Sequence, residues 1–346
     1  MDPFDPSNGG HNPFRHDYNQ WTLRDAVLDQ QTIPALLKCL VSTRIYAPES
    51  YEEVRNSVFN DMLQVQQLPL IEHMLNNGYM PVSEVEPWVI AQHVSKEVVE
   101  LLLARGWDIN KQDYKSFRDP TGTEGGDRLL NYLAREHVGG NGELARWLVA
   151  EKGARPDGFT GAWDRKEPEP VLDQVAQFGT VSLYKFLEER GARPGPRVLH
   201  LAVDMAASMR VDPSTPDGKP PISEYNSYNF DDGGKSAARA EMLRFLVEER
   251  GLDVNKIDSN VAHAPEKGYF GTPIAYAAGW LHGAKVVAWL LKKGANPNIR
   301  GPCWPEQNAY DRARERRAYE VLTVLQAPEE DYVGLPLVTK MGKKQG

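Results

Sequence analysis

Between Gly271 and Asn298 the sequence reads GTPIAYAAGWLHGAKVVAWLLKKGANPN, which contains the signals of two helices and a turn. Thr272 and Pro273 are typical of a helix start, because threonine can cap the first turn and proline lacks only an N–H that would be unpaired there. Apolar residues then recur at helical spacing over 286–291, and a basic pair followed by Gly294 is typical of a helix end. The segment therefore predicts a short helix, a turn, a second helix and an extended finger.

The second-helix pattern occurs six times along the chain. Each copy has apolar residues at i, i+3 and i+4, then charged or amide residues, and then a glycine. The six segments are 70–78, 98–106, 144–153, 183–191, 242–251 and 286–294. A left-handed C-terminal cap explains the glycine, and the Asn- and Pro-containing residues that follow five of the six predict short finger turns.

A shorter apolar segment precedes most of these helices. The segments are 128–134, 170–176, 197–203 and 271–278, and a final pair of helices is predicted from 308 to 326. In the clearest copy, small residues at Ala275, Ala277 and Ala278 allow a neighbouring helix to approach closely. A helix pair cannot bury its apolar face alone, so we expect the pairs to stack in a row.

This unit resembles the ankyrin repeat, which has a period of about 33 residues and a first helix that opens with a Thr-Pro-Leu-His type of start. In the segment 271–298, Ile274 stands where that start has Leu and Ala275 where it has His, whereas His200 keeps the histidine on its own helix. The resemblance covers residues 50–326. It implies an all-α solenoid with a concave face that binds another protein and has no catalytic chemistry. A tetratricopeptide-like or generic solenoid of helix pairs is the alternative, although such repeats lack the Asp-Val-Asn finger.

The spacing of the repeats is irregular. The six glycines lie 28, 47, 38, 60 and 43 residues apart, whereas a regular array would repeat near about 33. The excess predicts loop insertions near 111–126, 158–168, 209–234 and 258–270, because a stack tolerates loops at its edges but not missing helices. Outside the array we expect a disordered segment over 1–20, degenerate capping helices over 21–49 and a tail over 327–346.

The composition excludes several classes of protein. Of the 346 residues, 40 are Lys or Arg and 48 are Asp or Glu, and this net charge of −8 argues against a general nucleic-acid binder. Cys39 and Cys303 cannot supply a disulfide framework or a four-thiolate zinc site. Neither a secretory signal nor a membrane-spanning run is recognisable. We expect a monomer of the cytoplasm or nucleus that binds neither nucleic acid nor membrane.

The apolar residues of the second helices are interpreted as core. They include Val98, Leu101, Leu102, Trp147, Phe186, Phe245 and Trp289. In the fingers, Asp108, Asn110, Asp253 and Asn255 are predicted to hold the turns by bonding to the backbone. The positions left for function are then the finger tips, the exposed face of each first helix and the inserted loops.

Aromatic residues in and next to the insertions are the candidate partner-binding residues, because exposed Tyr and Trp bury much area at low entropic cost. The candidates are Tyr114, Phe117, Phe159, Trp163, Tyr225, Tyr228, Phe230, Tyr269 and Trp304. The alternative is that these rings fold back over the helices and fill gaps.

Motifs for catalysis or metal binding are missing from the sequence. The histidines, His73, His93 and His200 among them, form no His-x-x-x-His or His-Glu-x-x-His pair. Gly-Gly-Lys-Ser at 233–236 lacks the earlier glycine and the preceding strand of a phosphate loop, so Ser236 is interpreted as a helix cap. We predict no catalytic residue, cofactor or metal site. An atypical enzyme or small-molecule binder is the alternative, with a pocket built by the insertions over the concave groove and lined by residues 223–232 and Trp163.

Overall fold

The computed structural model describes residues 40, 44–45, 48–113, 127–134, 142–156, 170–219, 234–258, 271–301 and 306–326. Within them every regular element is helical, and the β-type pairing is an isolated bridge between Gln112 and Arg128. The all-α prediction is confirmed. The chain divides into two compact units, Met1–Lys111 and Gln112–Gly346. The predictions for 1–20, for most of 21–49 and for 327–346 lie outside the described residues.

The described part of the first unit contains four helices and two 3₁₀ turns. The helices are α1 Tyr51–Gln64, α2 Leu68–Asn76, α3 Pro87–Gln92 and α4 Lys96–Leu103. The 3₁₀ turns are Pro48–Ser50 and Val82–Glu84. Helix α1 packs on α2 and α3, and α2 packs on α4, so the apolar faces cover one another.

Ten helices form the described part of the second unit. They are α5 Leu129–Ala134, α6 Gly142–Glu151, α7 Val171–Phe178, α8 Val181–Glu189, α9 Val198–Ser208, α10 Lys235–Arg244, α11 Pro273–Ala278, α12 Ala284–Lys292, α13 Ala309–Glu315 and α14 Tyr319–Gln326. Each odd-numbered helix packs on the even-numbered helix that follows it, which gives five pairs. The odd-numbered helices also pack on one another in chain order.

Successive pairs of the second unit run in the same direction. On the first helices, His200 of α9 lies beside Tyr276 of α11, and one turn further on Asp204 bonds to Trp280. On the second helices, Lys185 of α8 pairs with Glu249 at 3.1 Å. Two edges follow from this arrangement. We call the side where a second helix ends and the next first helix begins the finger edge, and the side where the two helices of a pair connect the turn edge.

The six glycines that end the second helices all adopt left-handed backbone conformations, as predicted, with φ between 64° at Gly251 and 93° at Gly191. At Gly294, the Gly294 amide bonds to the Leu291 carbonyl and the Ala295 amide to the Leu290 carbonyl, both at 3.0 Å. These bonds satisfy the last carbonyls of the helix and turn the chain into the finger.

The segment 242–251, which ends at Gly251, is one residue longer than most of the other second-helix segments. There α10 passes into a π-turn over Phe245–Glu249, in which the Arg250 amide reaches the Phe245 carbonyl at 2.9 Å. Inserting a single residue into a helix typically produces such a wide turn. It keeps both the buried Phe245 and the left-handed Gly251 in place.

Two predicted helix caps are wrong. Thr272 occupies the cap position of α11, but its buried hydroxyl makes no hydrogen bond, and its carbonyl instead accepts from the amides of Ala275 and Tyr276. Ser236 lies inside α10, because the cap position belongs to Gly234 in a left-handed conformation with φ of 81°. Neither helix therefore begins with the predicted side-chain cap.

The assignment of Phe186 to the core is also wrong. Its side chain is partly exposed, and the guanidinium groups of Arg146 and Arg190 lie 4.7 and 3.8 Å from the ring centroid. Tyr184 and Leu187 occupy the buried face of α8 instead. The face of Phe186 that remains accessible interacts with cations, which is favourable at exposed sites.

The left-handed glycines give a test of the fold. Gly294→Ala is expected to lower the free energy of unfolding by about 1–2 kcal/mol, because alanine is strained at a φ of 86°. Among the described residues other than its chain neighbours, no heavy atom lies within 4 Å of the added methyl group, so the substitution adds backbone strain without a steric clash. Urea unfolding followed by circular dichroism measures the loss.

Gly142→Ala is the matched control. Gly142 begins α6 outside the left-handed region, and its added methyl group also meets no atom within 4 Å. Its stability is expected to be unchanged or slightly raised, since alanine is the better helix former. Equal losses in the two variants would contradict the role of the left-handed cap.

Candidate functional site

The finger turns are held by side chains bonding to the backbone two residues further on. Asp108 accepts from the Asn110 amide and Asp253 from the Asn255 amide, both at 2.8 Å. In the last finger Asn296 accepts from the Asn298 amide at 3.0 Å. The predicted role in holding the turn is confirmed for Asp108 and Asp253, because an Asx turn of this kind fixes the backbone.

Neighbouring fingers of the second unit are tied together through one amide side chain. Asn255 Oδ1 accepts from the Asn296 amide at 2.7 Å, and its Nδ2 donates to the Gly294 carbonyl at 3.0 Å. Both ends of the Asn255 side chain are therefore occupied by the next finger. This fixes the spacing of the two fingers.

Three segments between a finger and the next first helix are closed by a backbone hydrogen bond at their base. The amide of Asp113 donates to the Asp127 carbonyl at 3.1 Å, and the amide of Asp258 to the Gly271 carbonyl at 3.0 Å. The third bond joins the Gly301 amide to the Gln307 carbonyl at 3.1 Å. Each inserted segment therefore leaves and re-enters the stack at one place on the finger edge.

A Tyr–Asp hydrogen bond reinforces two of these bases. The Tyr132 hydroxyl donates to Asp113 Oδ2, and the Tyr276 hydroxyl donates to Asp258 Oδ2 at 2.5 Å. The guanidinium Nε of Arg197 lies 3.0 Å from the same oxygen of Asp258. A first helix is thus bonded directly to the base of the loop that precedes it.

The role of these aspartates was not predicted, although the sequence contains a signal for it. Residues 108–113 read Asp-Ile-Asn-Lys-Gln-Asp, and residues 253–258 read Asp-Val-Asn-Lys-Ile-Asp. The final Asp of each copy is the buried acceptor, and the tyrosine is the fourth residue of α5 and of α11. The repeated hexapeptide, followed by a tyrosine at a fixed helix position, would have pointed to the pair.

His200 completes the buried polar cluster between α9 and α11. Its Nε2 lies 2.9 Å from the Lys256 carbonyl, which can only accept, so this nitrogen carries the proton. The other ring nitrogen is buried without a hydrogen-bond partner. Burial, opposed by the charge of Asp258, lowers the pKa of His200 to about 4. Protonation would place a second N–H where nothing accepts it.

The first helices do not offer the exposed face that was expected of them. Every residue in 171–176, 198–203 and 273–278 is buried. Helices that are buried on all sides provide packing rather than a binding surface. The expectation that each first helix presents a face to a partner is therefore wrong for α7, α11 and the first half of α9, and accessible positions must lie nearer the edges.

The insertion predicted at 209–234 belongs to the turn edge. Its described part, 209–219, follows α9 and is closed by the Asp212 amide, which donates to the Gly218 carbonyl at 2.9 Å. Arg244 of α10 donates to the carbonyls of Pro213 and Thr215 at 2.9 and 2.8 Å. The chain re-enters the described residues at Gly234, where α10 begins.

The nine candidate aromatic residues all lie outside the described residues, so the structure does not bring them together or separate them directly. The chain positions of their segments nevertheless sort them into two groups. Six belong to segments that start and end at the finger edge: Tyr114, Phe117, Phe159, Trp163, Tyr269 and Trp304. Three belong to the segment that starts and ends at the turn edge: Tyr225, Tyr228 and Phe230.

The described residues contain neither a candidate metal site nor a candidate membrane span. No group of three or more His, Cys, Asp or Glu side chains in the described ranges is arranged to hold a metal ion. None of the helices in these ranges combines the length and apolar character needed to cross a bilayer.

The buried histidine gives a test of this cluster. The unfolded imidazole has a pKa near 6.5 and the folded one near 4, so the unfolded chain binds the proton first as the pH falls. Between about pH 7 and pH 5, we expect the unchanged chain to lose about 2 kcal/mol more unfolding free energy than His200→Gln. Urea unfolding at each pH measures the difference.

His73→Gln is the control, because His73 is half-exposed on α2. Its pH dependence is expected to follow that of the unchanged chain. If His200→Gln kept the full acid sensitivity, His200 would not be its source.

Comparison with known proteins supports the repeat architecture. The family model for the ankyrin repeat matches residues 271–302, where α11, α12 and the following finger form one complete unit. No curated protein matches the chain. The left-handed glycine, the Asx turn and the stacking of this unit on its neighbours agree with the match. The chain therefore contains an ankyrin repeat, and the repeat that matches the family model is the one built from α11 and α12.

Proposed function

We propose that this protein is an adaptor or regulator that binds another protein through the loops inserted at its finger edge. The observation that carries the proposal is the construction of the loop bases. Three inserted segments are closed by backbone bonds, and two of the bases are also bonded to a first helix through Tyr132 and Tyr276. Ankyrin repeats generally bind other proteins, which agrees with this role.

A fixed base favours binding because it lowers the entropy lost on association. A loop whose two ends are held together has fewer conformations to lose when its tip contacts a partner. The finger-edge segments contain six of the nine candidate aromatic residues, and aromatic residues supply a large share of the binding energy at protein interfaces. The tie between successive fingers through Asn255 holds neighbouring bases at a constant spacing.

The buried cluster of His200, Tyr276 and Asp258 supports binding rather than catalysis. It contains acid–base side chains, but His200 is 1% exposed, Tyr276 4% and Asp258 0%. A catalytic group must reach the reacting atoms of a substrate. Their hydrogen bonds are instead directed at the Lys256 carbonyl and at one another, so their role is to fix the loop base.

The setting we propose is the cytoplasm or nucleus, with the protein acting as a monomer. The two cysteines suit a reducing compartment, since they cannot form a disulfide framework. The partner is a protein rather than a nucleic acid, because the net charge of the chain is −8.

The test begins with affinity purification and mass spectrometry to identify the partner. The affinity of the purified partner is then measured by titration calorimetry for the unchanged chain and for Tyr114→Ala/Phe117→Ala/Trp163→Ala. This finger-edge triple variant is expected to weaken binding by more than about 2 kcal/mol, with little loss of stability.

The matched control is Tyr225→Ala/Tyr228→Ala/Phe230→Ala, which removes as many rings from the turn-edge segment. If this variant weakened binding and the finger-edge variant did not, the partner would bind at the turn edge, and the proposal would be contradicted. If a metabolite or metal raised the melting temperature by several degrees and no protein bound stoichiometrically, the small-molecule alternative would replace it.

A further inference from the structure

The turn edge of the second unit carries an exposed apolar cluster. Four large apolar side chains are exposed among the described residues, and three of them belong to turns of the last two helix pairs. Trp280 and Leu281, in the turn between α11 and α12, are 40% and 53% exposed, and Tyr319, the first residue of α14, is 69% exposed. Clustered exposure of this kind marks interaction surfaces, whereas scattered single residues do not.

His282 links the turns of three successive pairs. Its Nε2 accepts a hydrogen bond from the guanidinium of Arg210, which follows α9, at 2.5 Å. Burial and the charge of Arg210 lower the pKa of His282, and the carboxylate of Glu320, on the first turn of α14, opposes them. Because α11 also packs on α9 and α13, and α12 on α14, the turn after α9, the turn after α11 and the start of α14 lie side by side.

The Trp280 ring is held in place before any partner arrives. Its indole Nε1 donates to Asp204 Oδ1 of α9 at 2.7 Å. This bond fixes the orientation of the ring while leaving its apolar surface accessible. An anchor that is already ordered loses less entropy on binding than a mobile one.

Two arginines near this cluster adopt a backbone conformation that disfavours them. Arg210 and Arg317 have φ of 60° and 55°, although eight other positive-φ positions among the described residues are glycine. A residue with a Cβ is strained by about 1 kcal/mol or more in this conformation. Both side chains are exposed, so they replace glycine without any compensating burial.

The charge at this edge differs in sign from that of the whole chain. Arg210, Arg316 and Arg317 bring three positive charges to these turns against the two negative charges of Glu320 and of Asp204, which bonds to Trp280, in a protein whose net charge is −8. Lys285 and Asp212 pair with each other at 3.7 Å and add no net charge. Positive charges around an apolar centre favour a partner with negative charges around an apolar side chain.

We propose that the turn-edge patch, formed by Trp280, Leu281 and Tyr319 and flanked by Arg210 and Arg317, binds an acidic peptide segment of a partner protein that carries a large apolar side chain. The apolar side chain lies against Trp280 and Leu281, and its neighbouring carboxylates pair with the arginines. This site is separate from the finger edge and does not depend on the function proposed above.

The size of the patch favours a peptide over a second copy of this chain. Aromatic side chains bury about 150–250 Å² each, so three exposed residues supply much less than the roughly 1,200 Å² of total surface buried in a stable protein–protein interface. A peptide in extended or helical conformation needs only one or two anchors and a few charged contacts.

The test is a selection of random phage-displayed peptides on the full chain, followed by affinity measurements on variants. We expect an enriched class that combines Asp or Glu with Phe, Leu or Trp. These peptides are expected to lose about tenfold or more in affinity on Leu281→Ser and on Arg210→Gly/Arg317→Gly. The arginine double variant is expected to melt at the same or a higher temperature, because glycine adopts the left-handed conformation without strain.

Gln66→Gly is the matched control, since Gln66 is the remaining non-glycine residue with positive φ among the described residues, at 56°, and lies in the first unit. It is expected to leave peptide affinity unchanged, as is the finger-edge triple variant. The proposal is overturned if no enriched peptide depends on Leu281 and the two arginines, or if the dependent peptides lack acidic residues. It is also overturned if light scattering shows a dimer that Leu281→Ser dissociates, or if single-stranded oligonucleotides bind at this edge in place of peptides.

Discussion

A short helix that is apolar on every side cannot be buried by a single neighbour, and the second unit depends on this constraint. All six residues of α11 are buried, although α11 has only α12 as its partner within the pair. The remaining sides are covered because α11 also packs on α9 and α13. Each pair therefore stabilises the next, and additional residues can enter only where the chain passes from one helix to another.

The helix pattern could be predicted from the sequence because its signals are local. Apolar spacing within three or four residues, followed by glycine, located the six second-helix endings, and all six glycines have positive φ. The caps could not be predicted in this way. Ser236 is not a cap because its helix begins at Gly234, two residues earlier. Thr272 does stand at the cap position of α11, but its hydroxyl makes no hydrogen bond, and residue type alone does not reveal this. Phe186 was assigned to the core by its position in an amphipathic stripe, but Tyr184 and Leu187 occupy that space.

The candidate site was predicted less completely, because its contacts join distant parts of the sequence. Asp113 meets Tyr132, and Asp258 meets Tyr276, only after an inserted segment has closed. The periodicity of a helix or a strand does not predict such a contact. The repeated Asp-x-Asn-Lys-x-Asp sequence indicates the hydrogen bond only when it is considered together with the tyrosine that follows it. For the aromatic residues the reverse holds. Their residue type suggested a role at an interface, but residue type alone does not determine at which edge of the stack their segments begin and end.

The polar network at the loop base explains how long insertions are compatible with a regular stack. The entropy of closing a loop rises only slowly with its length, so lengthening a segment costs little once its ends are fixed. A backbone bond between Asp258 and Gly271 sets the distance between the ends, and Tyr276 and Arg197 hold the buried carboxylate in one position. The desolvation of buried charges offsets much of their mutual attraction, so the net contribution of this ion pair to stability is small. Because the two ends of the segment are held by residues of the stack, the segment between them can change in length without repacking the helices.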